Sequence, residues 1–358
     1  MIPAARPEIG EEERAAVDRV LRSGMLAQGP EVAAFEQEFA ALVNGFSCIA
    51  VNSGTSALHL AFVAAGIGPG DEVIVPSFSF AATANSVALA GATPVFVDIE
   101  PDFFAIDPAA VEAAITTHTR GIMPVHLYGH PADLVALSEI AAKHDLLLFE
   151  DAAQAHAASV NGVPVGAWGV ASSFSFYPTK NMTSGEGGMI TTSSPEVERL
   201  ARMLRNQGME RRYENEVIGF NTRMTDIHAA IGRVQLTKLA GWTVKRQQNA
   251  AFLDENLRGV VTPPTAPGAV HVYHQYTIKV VDHDRDAFAE ELAKRGVGSG
   301  VYYPTPIHRL PSFGLDLDLP VTELATTQVL SLPIYPSLSD EELEAIVGAV
   351  NAVAKAGA

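Results

Sequence analysis

Between residues 47 and 151 the chain alternates short apolar runs with helical segments, and this alternation restricts its fold more than any other feature. Residues 48–51, 73–76, 93–97, 121–126 and 146–149 read as strands. Ser53-Gly54-Thr55-Ser56 turns the first of them into a helix that carries Leu58 and Phe62 inward and stops at Gly66 and Gly68-Pro69-Gly70. Further helices are predicted over 81–89, 108–115 and 132–144. Strand-then-helix repetition builds an α/β fold, a mainly parallel sheet covered by helices on both faces. Such sheets bind ligands beyond the carboxyl ends of their strands. The informative residues are therefore those just past each strand: Ser53-Gly54-Thr55, Ser77 to Phe80, Asp151 and, further on, Lys180.

The flanking segments complete the layout. Residues 10–23 predict a helix ended by Gly24, and Pro30 opens a second whose Val32, Phe35, Phe39, Leu42 and Val43 recur at helical spacing. A strand over 189–192 and a helix over 195–205 precede a polar stretch, 206–220, that reads as an exposed or interface loop. A long helix is expected from 225 to about 257, then a Pro/Gly-rich loop, 262–268. The remainder reads as a strand over 275–281, a helix over 285–295, an irregular segment and a last helix from Asp340, with Ser339 and Glu342 as its capping box. A chain of 358 residues suits one large domain and one smaller one. The expected division is 1–240, with a helical arm over 1–30, and 241–358 as a small C-terminal α+β domain.

Composition excludes some classes of partner. Twenty-four basic against 41 acidic residues give a net charge of −17, which argues against nucleic acid and anionic membranes. A phosphorylated substrate stays open, because one pocket can be positive on an acidic protein. The single cysteine, Cys48, permits no internal disulfide, which suits a reducing cytoplasm. Residues 1–14 lack a signal-peptide pattern, and no run approaches the roughly 18–20 apolar residues of a membrane span. A soluble, cytoplasmic protein is expected, with no metal site.

Chemistry concentrates between Ser172 and Met189, where an apolar, aromatic run ends in Lys180 and a glycine-rich turn follows. A lysine crowded by backbone on both sides suits a Schiff base with an aldehyde cofactor; the ordinary alternative is a strand-end lysine pointing at water. An aldehyde on a phosphorylated pyridine ring makes further demands. Its phosphate needs N–H donors and small hydroxyls at a helix N-terminus, which Ser53, Gly54 and Thr55 offer, unless they merely cap the helix. Its ring nitrogen needs a carboxylate, for which Asp151 stands at a strand end; strand alternation turns Glu150 the other way. Gln154 is placed for the ring's phenolic oxygen, and His156 reads as a core or supporting histidine. Phe80 is the candidate for the ring face, with Phe78 competing, and Ser175 offers another phosphate hydroxyl.

Five ordered motifs carry a family resemblance. Val51-Asn52-Ser53-Gly54-Thr55-Ser56-Ala57-Leu58, Glu150-Asp151-Ala152-Ala153-Gln154-Ala155-His156, Ser175-Phe176-Tyr177-Pro178-Thr179-Lys180-Asn181, Gly185-Glu186-Gly187-Gly188 and Gly219-Phe220-Asn221-Thr222-Arg223-Met224-Thr225-Asp226 together resemble the DegT/DnrJ/EryC1/StrS family. Its members are aminotransferases of nucleotide-linked keto sugars and cyclitols that use pyridoxal 5'-phosphate (PLP). The resemblance implies the PLP-dependent transferase fold type I, with 1–240 as the PLP-binding domain. It implies Lys180 as the Schiff-base lysine and proton shuttle, Asp151 at the pyridine nitrogen, Gln154 at the ring oxygen, Phe80 on the ring, and Ser53, Gly54, Thr55 and Ser175 at the phosphate. It further implies that Asn221 reaches the neighbouring subunit's phosphate, which makes the protein a homodimer with a shared site. Glu186, Arg223 and His308 are assigned to the substrate side. Some relatives carry histidine at the lysine position and act as dehydratases; Lys180 favours transamination. The implied donor is L-glutamate or glutamine. Gly185-Glu186-Gly187-Gly188-Met189 resembles members that aminate C4 of a 4-keto-6-deoxy sugar, with C3 or cyclitol amination as alternatives. A non-catalytic PLP-binding regulatory protein on the same scaffold is the rival from another class.

Overall fold

The predicted alternation produces a seven-stranded sheet. Its strands are β1 (Ser47–Val51), β2 (Glu72–Pro76), β3 (Thr93–Val97), β4 (Thr119–Ile122), β5 (Leu147–Asp151), β6 (Ala171–Ser175) and β7 (Gly188–Thr192). This computed structural model describes residues 1–356. Across the sheet the order is β1-β7-β6-β5-β4-β2-β3. β7 runs antiparallel to both its neighbours, β1 and β6, and the remaining pairs are parallel. Six carboxyl ends therefore open at one edge.

Each strand has two apolar faces, and both are covered. In β2, Val73 and Val75 pack with Leu60, Phe62 and Phe149 under the helices Gly54–Ala64 and Pro195–Leu204, while Ile74 points through to Ile122, Leu137 and Leu148. In β6, Phe174 faces the ring cluster of Phe35, Phe39 and Phe176 beneath the helix Pro30–Ala40. Burial on both faces explains why β2 reads as a continuous apolar run. β4 ends at Ile122, earlier than its apolar run suggests, because Pro124 has no N–H to extend the ladder.

The helix Asp226–Asn256 runs unbroken for 31 residues, started by Thr225, whose hydroxyl accepts the His228 N–H. Residue 240, the expected domain boundary, falls inside it. Beyond it, Tyr276–Lys279 pairs antiparallel with Val329–Leu332 over a second core of Tyr276, Ile278, Phe288, Leu330, Ile346 and Val350. The helices Arg285–Lys294 and Asp340–Ala356 cover that core, the latter started by the predicted box between Ser339 and Glu342. The stretch read as irregular holds a helix, Pro320–Gln328, and the strand Val329–Leu332. The N-terminus of that helix is capped from far away in sequence: the Asp98 carboxylate accepts the Val321 N–H at 3.0 Å and the Thr322 N–H at 2.7 Å, and only Pro320 marks the start locally. The polar stretch at 206–220 forms two short strands, Met209–Arg211 and Glu214–Asn215, with Tyr213 and Ile218 exposed. Among the described residues no helix is long and apolar enough to cross a membrane.

Candidate active site

A cavity of about 690 Å³ lies at the edge where the carboxyl ends of β1, β5 and β6 open. Ser53, Gly54, Thr55, Phe80, Asp151, Gln154, Ser175, Lys180 and Glu186 all line it. They come from turns separated by up to about 130 positions in sequence and meet because the parallel sheet delivers its loops to one edge.

Lys180 is half-buried in the cavity wall, its N–H bonded to the Tyr177 carbonyl at 3.0 Å. Burial pushes its ammonium down to about 8, against the opposing pull of the Asp151 carboxylate. Asp151 ends β5 and is buried. Its Oδ2 accepts the Thr83 hydroxyl at 2.8 Å, and its Oδ1 accepts the Ala153 N–H at 3.2 Å. Thr83 Oγ1 lies 2.8 Å from Ser79 Oγ. A threonine that spends its proton on Asp151 must accept here, so Ser79 donates to Thr83 and the pair forms a short relay. Burial still raises Asp151 above the usual carboxylate range, with the Thr83 bond opposing. Glu150 turns to the other face, as alternation demands. It accepts the N–H groups of Gly166, Trp168 and Gly169, the Ser172 hydroxyl and His126 Nε2.

Ser53 caps the helix Gly54–Ala64, its Oγ accepting the Ser56 N–H at 3.1 Å. Capping and cavity lining thus coexist at this residue. A Cβ on Gly54 would stand 2.8 Å from Ser175 Cβ, so only bare backbone fits between the turn and β6. Gly188 in β7 is held to glycine by the same turn, a Cβ there meeting the Ser53 carbonyl oxygen at 2.3 Å. The competition between the two phenylalanines resolves by exposure: Phe78 is 1% exposed in the core, whereas Phe80 is 59% exposed on the cavity wall. The Gln154 amide is oriented by its surroundings. Oε1 accepts the Tyr128 N–H at 2.6 Å, leaving Nε2 as the donor that reaches Tyr303 Oη at 3.2 Å. His156 is buried between Phe174 and Phe176, and burial, aided by Lys180, lowers it to about 3.

Three predicted site residues are not in this cavity. His308 is fully buried, with Nδ1 2.6 Å from Ser77 Oγ and Phe96 beside its ring, which corrects its assignment to the substrate side. Its segment, 302–308, does reach the cavity, but through Tyr302 and Tyr303. Arg223 donates to Asn206 Oδ1 at 2.8 Å and does not line the cavity of its own chain. Asn221 is exposed and bridges to Asn206, also outside it.

Sequence reasoning missed several lining groups. Tyr302 and Tyr303 stood in a segment whose histidine drew the attention. The stretch from Ala4 to Glu8 forms part of the wall, although it reads only as an unremarkable N-terminus. Arg246 and His274 also line the cavity. Arg246 sits within a regular helix and left no local signal.

Comparison with known proteins agrees with this arrangement. The description of the DegT/DnrJ/EryC1/StrS aminotransferase family matches residues 7–351. The dTDP-3-amino-3,4,6-trideoxy-alpha-D-glucose transaminase of Streptomyces venezuelae is 43% identical, over 98% of this chain and 94% of that protein. A pleiotropic regulatory protein of Geobacillus stearothermophilus is also 43% identical, over 92% of this chain and 91% of its own length. Among solved structures, S. venezuelae DesV in complex with a ketimine intermediate superposes with a TM-score of 0.92 at 43% identity, covering 96% of this chain and 94% of that one. With five motifs in order, their residues gathered at one sheet edge and a match along nearly its whole length, the chain belongs to the DegT/DnrJ/EryC1/StrS aminotransferase family.

Proposed function

We propose that this protein is a PLP-dependent aminotransferase that moves an amino group from L-glutamate or glutamine to a nucleotide-linked keto sugar, at C4 of a 4-keto-6-deoxy sugar. The observation that carries the reading is the meeting of Lys180 and Asp151 on the wall of one cavity, beside a helix N-terminus whose first residue must be glycine. The residues present fit the cofactor. Ser53, Gly54, Thr55 and Ser175 would hold its phosphate with N–H and hydroxyl donors. Asp151 would pair with the ring nitrogen, Gln154 Nε2 would donate to the ring oxygen, and Phe80 would cover the ring face. Asn221 of the partner subunit would complete the phosphate site, in keeping with its position outside its own cavity.

When bound, PLP supplies an electron sink that makes the Cα proton of an amino acid removable. The chain supplies placement and proton transfer. Lys180, at about 8, is present in part as a free amine near neutral pH, so its Nζ can take the proton from the donor Cα and deliver it back. Asp151, buried and held at both oxygens, would present its carboxyl group to the ring nitrogen from a fixed point. Burial of the site strengthens both interactions.

The C4 assignment is supported by Glu186 and its glycine-rich turn at the cavity, the turn that resembles the C4 members. A C3 reading is favoured by the S. venezuelae relative, whose name specifies a 3-amino sugar. Assay of the aminated enzyme against nucleotide-linked 4-keto and 3-keto sugars separates the two. The reaction class is tested by Lys180→Ala. Loss of the visible cofactor band and of turnover is expected, and full activity without an added amine would sink the assignment. A non-catalytic regulatory role, suggested by the G. stearothermophilus relative's name, predicts a coloured protein that L-glutamate and L-glutamine fail to bleach.

A further inference from the structure

His308 lies outside the cavity, yet the contacts around it join two of the cavity's walls. Its segment is fastened to the end of β2. The Ile307 N–H donates to the Ser77 carbonyl at 2.9 Å, the His308 N–H donates to Ser77 Oγ at 3.2 Å, and Ser77 Oγ lies 2.6 Å from His308 Nδ1. Both side chains are fully buried. The Ser77 hydroxyl has no other acceptor, so its proton goes to Nδ1 and the ring carries its own proton on Nε2. Nε2 stands 3.7 Å from Glu323 Oε1, too far for a hydrogen bond. The imidazole is therefore held through one nitrogen, by Ser77.

The other end of this segment is tied to a different part of the molecule. Gly300 and Ser331, of the strand Val329–Leu332, exchange backbone hydrogen bonds at 3.0 and 2.8 Å. Ile307, by contrast, belongs to the core that holds Val73 and Val75 of β2. Residues 300–308 thus bridge from the second core to the sheet and are pinned at each end. Tyr302 and Tyr303 lie between the pins and line the cavity. Beside them runs the loop that follows Ser77 and carries Ser79, Phe80 and Thr83. The Tyr303 ring stands 6.0 Å from that of Phe80, and its Oη accepts from Gln154 Nε2 at 3.2 Å. Phe80 and Ser77 share the loop, while Tyr303 and His308 share the bridge. The bridge's other side-chain ties, from Tyr128 Oη to the Tyr302 carbonyl and from Gln154 to Tyr303, lead to other elements. The contact between Ser77 and His308 is the one that fixes the loop against the bridge.

We propose that His308 is a positioning residue: its bond to Ser77 sets the spacing between Phe80 and Tyr303 and so shapes the side of the cavity that receives the cofactor ring. The proposal rests on the reading of Phe80 as the residue that covers that ring. The test begins with the apoprotein, in which amide hydrogen exchange over 77–83 and 300–310 is compared with exchange in β5 and β6. Ser77→Ala removes the hydroxyl that holds both the His308 ring and its N–H. Exchange is expected to rise at least ~5-fold in those two segments, about one hydrogen bond's worth, with β5 and β6 unchanged. PLP binding by equilibrium dialysis is expected to weaken at least ~5-fold. His308→Leu should match Ser77→Ala, and His308→Asn, whose Oδ1 can accept in place of Nδ1, should recover most of both losses. Should the leucine variant fail to fold, Ser77→Ala, which loses a single oxygen, carries the comparison. In a Phe80→Ala background, Ser77→Ala should weaken PLP binding no further, because the ring it positions is gone. Unchanged exchange, exchange that rises equally in β5 and β6, or an undiminished loss of PLP affinity in the Phe80→Ala background overturns the proposal. A protein that binds no PLP overturns the aminotransferase reading instead, and exchange in the two segments still decides whether Ser77 and His308 hold the bridge.

Discussion

At the scale of single residues, the site depends on half-buried Lys180 and buried Asp151, both shifted by their surroundings. Lys180 attacks an aldehyde only as a free amine. With its pKa near 8, the free fraction rises about tenfold per pH unit below that value and flattens above it. The rate at which the apoprotein takes up PLP should follow that curve, measured as growth of the visible band; an inflection at the ordinary lysine value would contradict the burial argument. Asp151 is pushed the other way by burial, and the hydroxyl relay from Ser79 through Thr83 opposes the shift. Thr83→Val removes one of two internal donors and should lower kcat roughly tenfold, about one hydrogen bond's worth, with Thr83→Ser recovering most of it. Equal damage from valine and serine, read alongside the pH profile of the cofactor band, would make Thr83 a packing residue only. Lys180 and Asp151 were legible in the sequence because each follows a strand. Thr83 was not, because its contact spans 68 positions and nothing local announces it.

At the scale of elements, glycines decide whether the strand ends and turns can meet. In Gly54→Ala the new Cβ stands 2.8 Å from Ser175 Cβ, so the turn must move away from β6. A folded protein with unaltered circular dichroism and at least ~10-fold weaker PLP binding by equilibrium dialysis is expected, since overpacking costs about 1–3 kcal/mol. Behind Asp151, β5 is locked by Glu150, whose carboxylate collects bonds from the 166–172 turn and from His126. Burial works against that anion, and the His126 contact with the surrounding donors outweighs it, leaving the pKa lowered. The sign follows directly. A carboxylate with a lowered folded value stabilises the protein above its unfolded pKa, and that stability is lost as pH falls through the folded value. Glu150→Ala should cost about 3–5 kcal/mol in denaturant unfolding at pH 7, with the deficit shrinking on acidification; a pH-independent deficit would assign the loss to packing. The element pattern itself was readable for most strands and helices. The helix Pro320–Gln328 was not, since the carboxylate that caps it, Asp98, lies more than 200 positions away and the strand after it is only four residues long.

At the scale of the whole molecule, the site described here belongs to one chain, and the proposed role for Asn221 requires two. Asn221 is exposed and lies outside its own cavity, on a segment continuous with the exposed loop that carries Tyr213 and Ile218. Sedimentation at micromolar concentration should show a dimer, and Asn221→Ala should weaken PLP retention while leaving the sedimentation coefficient unchanged. A fully active monomer contradicts the shared site.

The sequence alone determined the parallel architecture and the order of the motifs, because both are written in local patterns of apolar period and turn residues. It also marked which residues follow strand ends, and the geometry of a parallel sheet sends those to one edge. Only the tertiary structure decided which of two phenylalanines faces the cavity and that His308 is tied to Ser77 instead of lining it. It likewise revealed that Arg246, unlike the buried Arg205 and Arg285, lacks a carboxylate partner. Exposure, pairing and shifted charge are properties of what surrounds a side chain, and those surroundings come from parts of the chain too distant for any local pattern to record.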